Sequence, residues 1–64
     1  MDVHVRLSER QRLTQIPVTL DGKPARVTGY RNEFATVRNQ QYGVEFAWAT
    51  VAHIIANRGG KFES

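Results

Sequence analysis

Arg26, Arg31 and Arg38, together with Lys23, surround two aromatic side chains, Tyr30 and Phe34, in one short segment of this chain. The chemistry open to such a set is non-covalent. Guanidinium forks pair with phosphate, and aromatic faces stack on bases. Covalent chemistry would need a nucleophile, a base and an orienting group. The two histidines, His4 and His53, lie at opposite ends of the chain, and the only serines are Ser8 and Ser64. Asp2, Glu9, Asp21, Glu33, Glu45 and Glu63 lie mostly in turns or near the termini, with no pair spaced to share a proton. The chain reads as non-enzymatic, with no cofactor, no metal site and no small-molecule substrate.

The element expected to position the six residues is a β-hairpin. Ala25, Val27 and Gly29 alternate with Arg26, Thr28 and Tyr30; after Arg31-Asn32-Glu33, Phe34, Thr36 and Arg38 alternate with Ala35 and Val37. Period-two alternation marks a half-buried strand. A loop with an odd number of residues keeps Val27 and Val37 on one face, whereas a two-residue loop would set Val27 opposite Thr36. With three loop residues, Tyr30 faces Phe34, Thr28 faces Thr36 and Arg26 faces Arg38 on the solvent side.

Around this hairpin the chain divides into further short elements. Val3, Val5 and Leu7 alternate with His4 and Arg6, which predicts a first strand over 2–7. Ser8-Glu9-Arg10-Gln11 fits a short capped helical turn with Ser8 as N-cap, or a polar loop, and the loop is the preferred reading. Ile16, Val18 and Leu20 predict a second strand, with Pro17 at an edge or bulge because it cannot donate to a ladder. Asp21-Gly22 is a tight-turn signal. A fifth strand is expected through Val44, Phe46 and Trp48, with Val37 opposite Val44, Ala35 opposite Phe46 and Glu45 opposite Thr36. From Thr50, as N-cap, the period becomes helical, with Val51, Ile54 and Ile55 on one face. Gly59-Gly60 ends that helix, and Phe62 folds back onto the core. The expected inward set is Val5, Ile16, Val18, Leu20, Val27, Val37, Val44, Phe46, Trp48, Val51, Ile54 and Ile55.

Sixty-four residues form a single domain over 1–64. A chain of this size buries only about 60% of its unfolded surface, so each core contact weighs heavily. Cysteine is absent, which excludes disulfides and thiolate metal sites. No apolar run approaches a membrane span, and the N-terminus lacks the layout of a signal peptide, so a cytoplasmic location is expected. Nine Lys and Arg against six Asp and Glu give a formal charge of +3, and seven of the nine are Arg. That balance favours anionic partners without naming one.

Two other segments have simple structural readings. Arg58-Gly59-Gly60-Lys61 follows a helix where a phosphate loop would open one. Residues 49–60 suggest the first helix of a helix-turn-helix, but the recognition helix would have to fit into Lys61–Ser64. His53 and His4 are single histidines without partner ligands. Trp48 continues the inward set as the largest core side chain, with a stacking platform as its functional alternative.

Five short strands, the tight Asp21-Gly22 turn and the strand-to-helix step Val44-Glu45-Phe46-Ala47-Trp48-Ala49-Thr50-Val51 resemble the SH3-like barrel family. The implied fold is mainly β: a five-stranded, strongly bent SH3-like barrel with a short C-terminal helix. The last segment also resembles the closing strand and helical turn of plasmid-borne type II dihydrofolate reductases, which are SH3-like barrels. Those enzymes carry Val-Gln-Ile-Tyr where this chain has Val44-Glu45-Phe46-Ala47. Glu45 replaces the Gln and Ala47 the Tyr, so the resemblance implies architecture and not the reductase activity.

The leading expectation is a small basic module that binds nucleic acid, single strands in preference. Tyr30 and Phe34 would stack bases while Lys23, Arg26, Arg31 and Arg38 hold phosphates. The competing expectation is a protein-interaction module or homo-oligomer, docking through the same aromatics or through an edge strand at Val3–Leu7. A mobile element's accessory or inhibitor protein would suit that second class.

Overall fold

The computed structural model describes residues 5–29 and 32–64. The order of elements is α1 (Leu7–Leu13), β1 (Val18–Leu20), β2 (Lys23–Thr28), β3 (Phe34–Arg38), β4 (Gly43–Ala47), α2 (Trp48–Asn57) and β5 (Lys61–Phe62). The five strands form one mixed sheet, ordered β4-β3-β2-β1-β5, strongly curled into a half-barrel. Strands β1 to β4 are an antiparallel meander, and β5 joins β1 in parallel. Helix α2 carries the chain from β4 at one edge of the sheet to β5 at the other.

The hairpin register follows from burial of alternate residues. Val27 pairs with Val37, Arg26 with Arg38 and Thr28 with Thr36. On the next ladder Ala35 pairs with Phe46, Thr36 with Glu45 and Val37 with Val44. Ala25, Val27, Ala35 and Val37 are buried, while Arg26, Thr28, Phe34 and Arg38 are exposed. A one-residue slip would exchange those two sets, so the buried valines hold the arginines outward. The Asp21-Gly22 turn has φ of 53° and 80°, the paired positive values that a two-residue hairpin loop demands.

The ends of the chain differ from expectation. No strand forms at Val5–Leu7; Leu7 instead opens α1, and residues 2–4 lie outside the described residues. Ser8-Glu9-Arg10-Gln11, where the loop is preferred over a capped helical turn, are helical as part of α1. Arg6 is the N-cap in extended conformation, and Ser8 lies inside the helix and caps nothing. Seven residues are too few for a helix to stand alone in water. Tertiary contacts hold this one: Leu13 is buried, and Arg10 reaches out of the helix to backbone carbonyls elsewhere.

Helix α2 begins at Trp48, two residues before the expected Thr50 cap, with Ala47 as its extended N-cap. Trp48 satisfies two periods at once. It continues the inward alternation of β4, and it starts the helical stripe Trp48, Val51, Ala52 and Ile55. The helix ends at the glycine pair as expected. Gly60 has φ of 78°, and a Cβ there would stand 3.0 Å from Val18 Cγ1.

Strand β5 was not expected from the sequence. The Thr19 amide donates to Gly60 O (3.0 Å) and the Asp21 amide to Phe62 O (2.9 Å). These bonds turn Phe62 into the core, where its ring centroid lies 5.1 Å from that of Phe46. The fully buried centre is Trp48, Phe62, Leu20, Val27, Val37 and Val51, with Leu13 beside it. Leu13 is an addition to the expected inward set, while Val5, Ile16, Val44, Phe46, Ile54 and Ile55 pack at its margin.

Candidate functional site

The outer face of the sheet carries the candidate site. Its central row is Arg26 directly opposite Arg38, with Gly43 across from Arg38 on β4. Like charges placed opposite each other on a sheet destabilise it. Neither guanidinium makes an ion pair or hydrogen bond among the described residues. Glu45 sits one row along, opposite Thr36, and does not neutralise the pair through an ion-pair contact. Arg26 and Arg38 also line a shallow hollow of ≈ 390 Å³ with Pro17, Pro24, Asn39 and Gln40.

Asn39 fixes the end of this row. It is buried, and its Nδ2 donates to Leu20 O (3.1 Å). Its Oδ1 accepts from the amides of Gln41 and Tyr42, each at 2.8 Å. An Asn that bonds the backbone two and three residues on shapes its own turn. The side chain thus sets the β3–β4 turn immediately after Arg38 and ties it to β1.

The expected site residues fall into three groups. Arg26, Phe34 and Arg38 share the outer face, with Phe34 52% exposed and paired across from Ala47. That exposure leaves an aromatic surface open two register rows from the arginine pair. Lys23 does not join them. It pairs with Leu20 in the row of Ala25 and Val27, is half-buried, and lies close enough to Asp21 to favour that carboxylate's charge. Tyr30 and Arg31, with the Tyr30–Phe34 pairing, lie outside the described residues. Sequence reasoning overlooked Lys61, exposed on the outer face opposite Thr19. A two-residue strand has no period to detect, and only its pairing with β1 gives Lys61 a face.

A second polar cluster lies beside the β3–β4 turn, where Tyr42 meets Asp21. Asp21 accepts hydrogen bonds from the Ser64 hydroxyl (2.6 Å), the Tyr42 hydroxyl and the Ser64 amide (2.7 Å). These donors hold the Asp21 carboxyl below the usual aspartate range, the Ser64 hydroxyl foremost. The bond to Asp21 likewise pushes the Tyr42 phenol up.

Trp48 is 2% exposed and belongs to the core, with the Arg10 guanidinium 5.5 Å from its ring centroid. His53 is exposed on α2, its Nδ1 3.2 Å from Asn57 Nδ2. Among the described residues no helix is long and apolar enough to cross a membrane. Compared with known proteins, the chain matches no family model, no curated protein and no solved structure.

Proposed function

We propose that this protein is a non-enzymatic binding module on an SH3-like small barrel, and that the outer face of its sheet binds the backbone of nucleic acid. The observation that carries this reading is the opposed pair Arg26 and Arg38, exposed and, among the described residues, without an acidic partner in contact. Such a pair has a structural cost and no structural return, and an anion bridging both guanidinium groups reverses the repulsion. Phe34 supplies an exposed ring for stacking, which favours single strands, whose bases are free to reach it. A cytoplasmic site of action belongs to the same proposal and is supported by the absence of cysteine.

The test is a salt titration of binding to labelled single-stranded DNA. Arg26→Ala with Arg38→Ala should flatten the log–log salt dependence by about 1.4 units for a single strand, or about 1.8 for a duplex, as two phosphate contacts are lost. The melting temperature should hold or rise slightly. A double mutant that loses stability and keeps its salt slope overturns the reading.

A second reading, docking of a protein partner or a second copy, is favoured by the exposure of Leu7 (62%) and Phe34 (52%). The edge strand it would use does not form over the described part of that segment, Val5–Leu7, where Leu7 is helical. Capture of one specific protein, insensitive to nuclease, would support it over the first.

A further inference from the structure

We infer that the nucleic-acid backbone crosses the sheet from β3 towards β5 and that Lys61 is its third phosphate contact. This rests on the reading of Arg26 and Arg38 as phosphate ligands.

The argument comes from which charges share the outer face. Thr19 pairs with Lys61 on one side and with Pro24 on the other, so Lys61, Thr19 and Pro24 form one outward row. Arg26 and Arg38 form the next row, two residues along β2. Lys61 and Pro24 are exposed and Thr19 is half-buried. With strands about 4.8 Å apart and a rise of about 3.3 Å per residue, Lys61 lies roughly 12 Å from Arg26 and roughly 16 Å from Arg38 along the backbone.

The acids mark where the track does not run. Glu45 occupies β4, on the row of Thr28 and Thr36, so an anion leaving the arginine pair towards that edge meets a like charge. Towards β1 and β5 the ladder presents Pro24 and Thr19, both uncharged, before Lys61. Glu63 lines a hollow with Lys61, His53 and Arg58 on the far side of β5, but forms no ion pair with Lys61 among the described residues. Lys23, the cation that the sequence assigns to this surface, projects from the opposite row beside Asp21.

The experiment measures the salt dependence of binding to a fluorescent oligothymidylate for the intact chain and its variants. Lys61→Ala should lower the log–log slope by about 0.7 units, the expectation for one single-strand phosphate contact. Lys61→Gln, which keeps the stem and removes the charge, should do the same and guards against loss of the short strand. Lys23→Ala should leave the slope unchanged. Glu45→Gln should tighten binding at low salt. A wild-type slope in Lys61→Gln overturns the track, as does an equal loss in Lys23→Ala, which would mean diffuse attraction to net charge. Unchanged or weaker binding by Glu45→Gln also overturns it. If the Arg26 and Arg38 double mutant keeps its slope, the underlying reading fails, whatever Lys61 does.

Discussion

Helix α1 and the outer face of the sheet each carry a pair of arginines, and the two pairs are used in opposite ways. In α1, Arg10 Nε donates to Val5 O (2.7 Å) and its Nη1 to Asn32 O (2.8 Å), while its guanidinium lies over Trp48. Arg12 is paired with Glu9 one helical turn away. Both side chains are occupied in holding the helix to itself, to the β2–β3 loop or against α2. Arg26 and Arg38 face each other across the β2–β3 ladder and make no such contact among the described residues. The same residue type thus serves as an internal clamp in one place and as an outward-facing charge in the other. Net charge alone does not distinguish them; only the partners do.

Removing Arg10 should have the largest effect on stability. Arg10→Ala deletes two charge-assisted bonds to carbonyls, for an expected loss of about 1.5–3 kcal/mol. In a domain this small, that is a large part of the total. Urea denaturation measures it, and the salt slope of nucleic-acid binding in the folded protein should not move. A slope that falls as far as in the Arg26 and Arg38 double mutant would erase the distinction between the two pairs.

Asn39→Ala should cost about 1–3 kcal/mol by leaving Leu20 O and two turn amides without their partner. Because Asn39 shapes the turn next to Arg38, it links stability to the site, and binding should weaken along with the denaturation midpoint. A variant with full stability and weak binding would instead make Asn39 a direct contact.

Asp21 offers a pH test of the same contrast, because its carboxylate is fully partnered where the outward arginines are not. Its folded pKa is depressed, chiefly by the Ser64 hydroxyl and then by Tyr42. The contribution is therefore present above the ordinary aspartate value of about 3.9 and is lost as pH falls through the depressed one. Asp21→Asn retains a residue that tolerates positive φ and should flatten the acid side of the stability profile. An unchanged acid limb would show that the Ser64 and Tyr42 bonds contribute nothing in solution.

Arg12→Ala should have the smallest effect. Its pair with Glu9 is solvent-exposed, so the midpoint of thermal denaturation should barely move. A loss as large as that of Arg10→Ala would mean that α1 depends on its own ion pair more than on its anchors.

The hairpin was legible in the sequence, and so was the register that opposes Arg26 to Arg38. Val27, Ala35 and Val37 must all face one way, and the period of two excludes every register shifted by one residue. The tight turn at Asp21-Gly22 and the helix stop at Gly59-Gly60 were legible for a similar reason, since each glycine sits at positive φ. These are local constraints, set by neighbours in the chain. The remaining features were decided by contacts between distant residues. Helix α1 forms over a polar segment that also fits a loop, because Arg10 meets Asn32 O and the Trp48 ring only once the chain has folded back on itself. Strand β5 exists because Gly60 O and Phe62 O meet the amides of Thr19 and Asp21, some forty residues earlier in the chain. The face of Lys61 follows from its partner on β1, Thr19, whereas Lys23 takes the face of Ala25 and Val27 by the same period of two. Periodicity can reveal a face where a strand is long enough to repeat; at two residues, only the neighbouring strand assigns one.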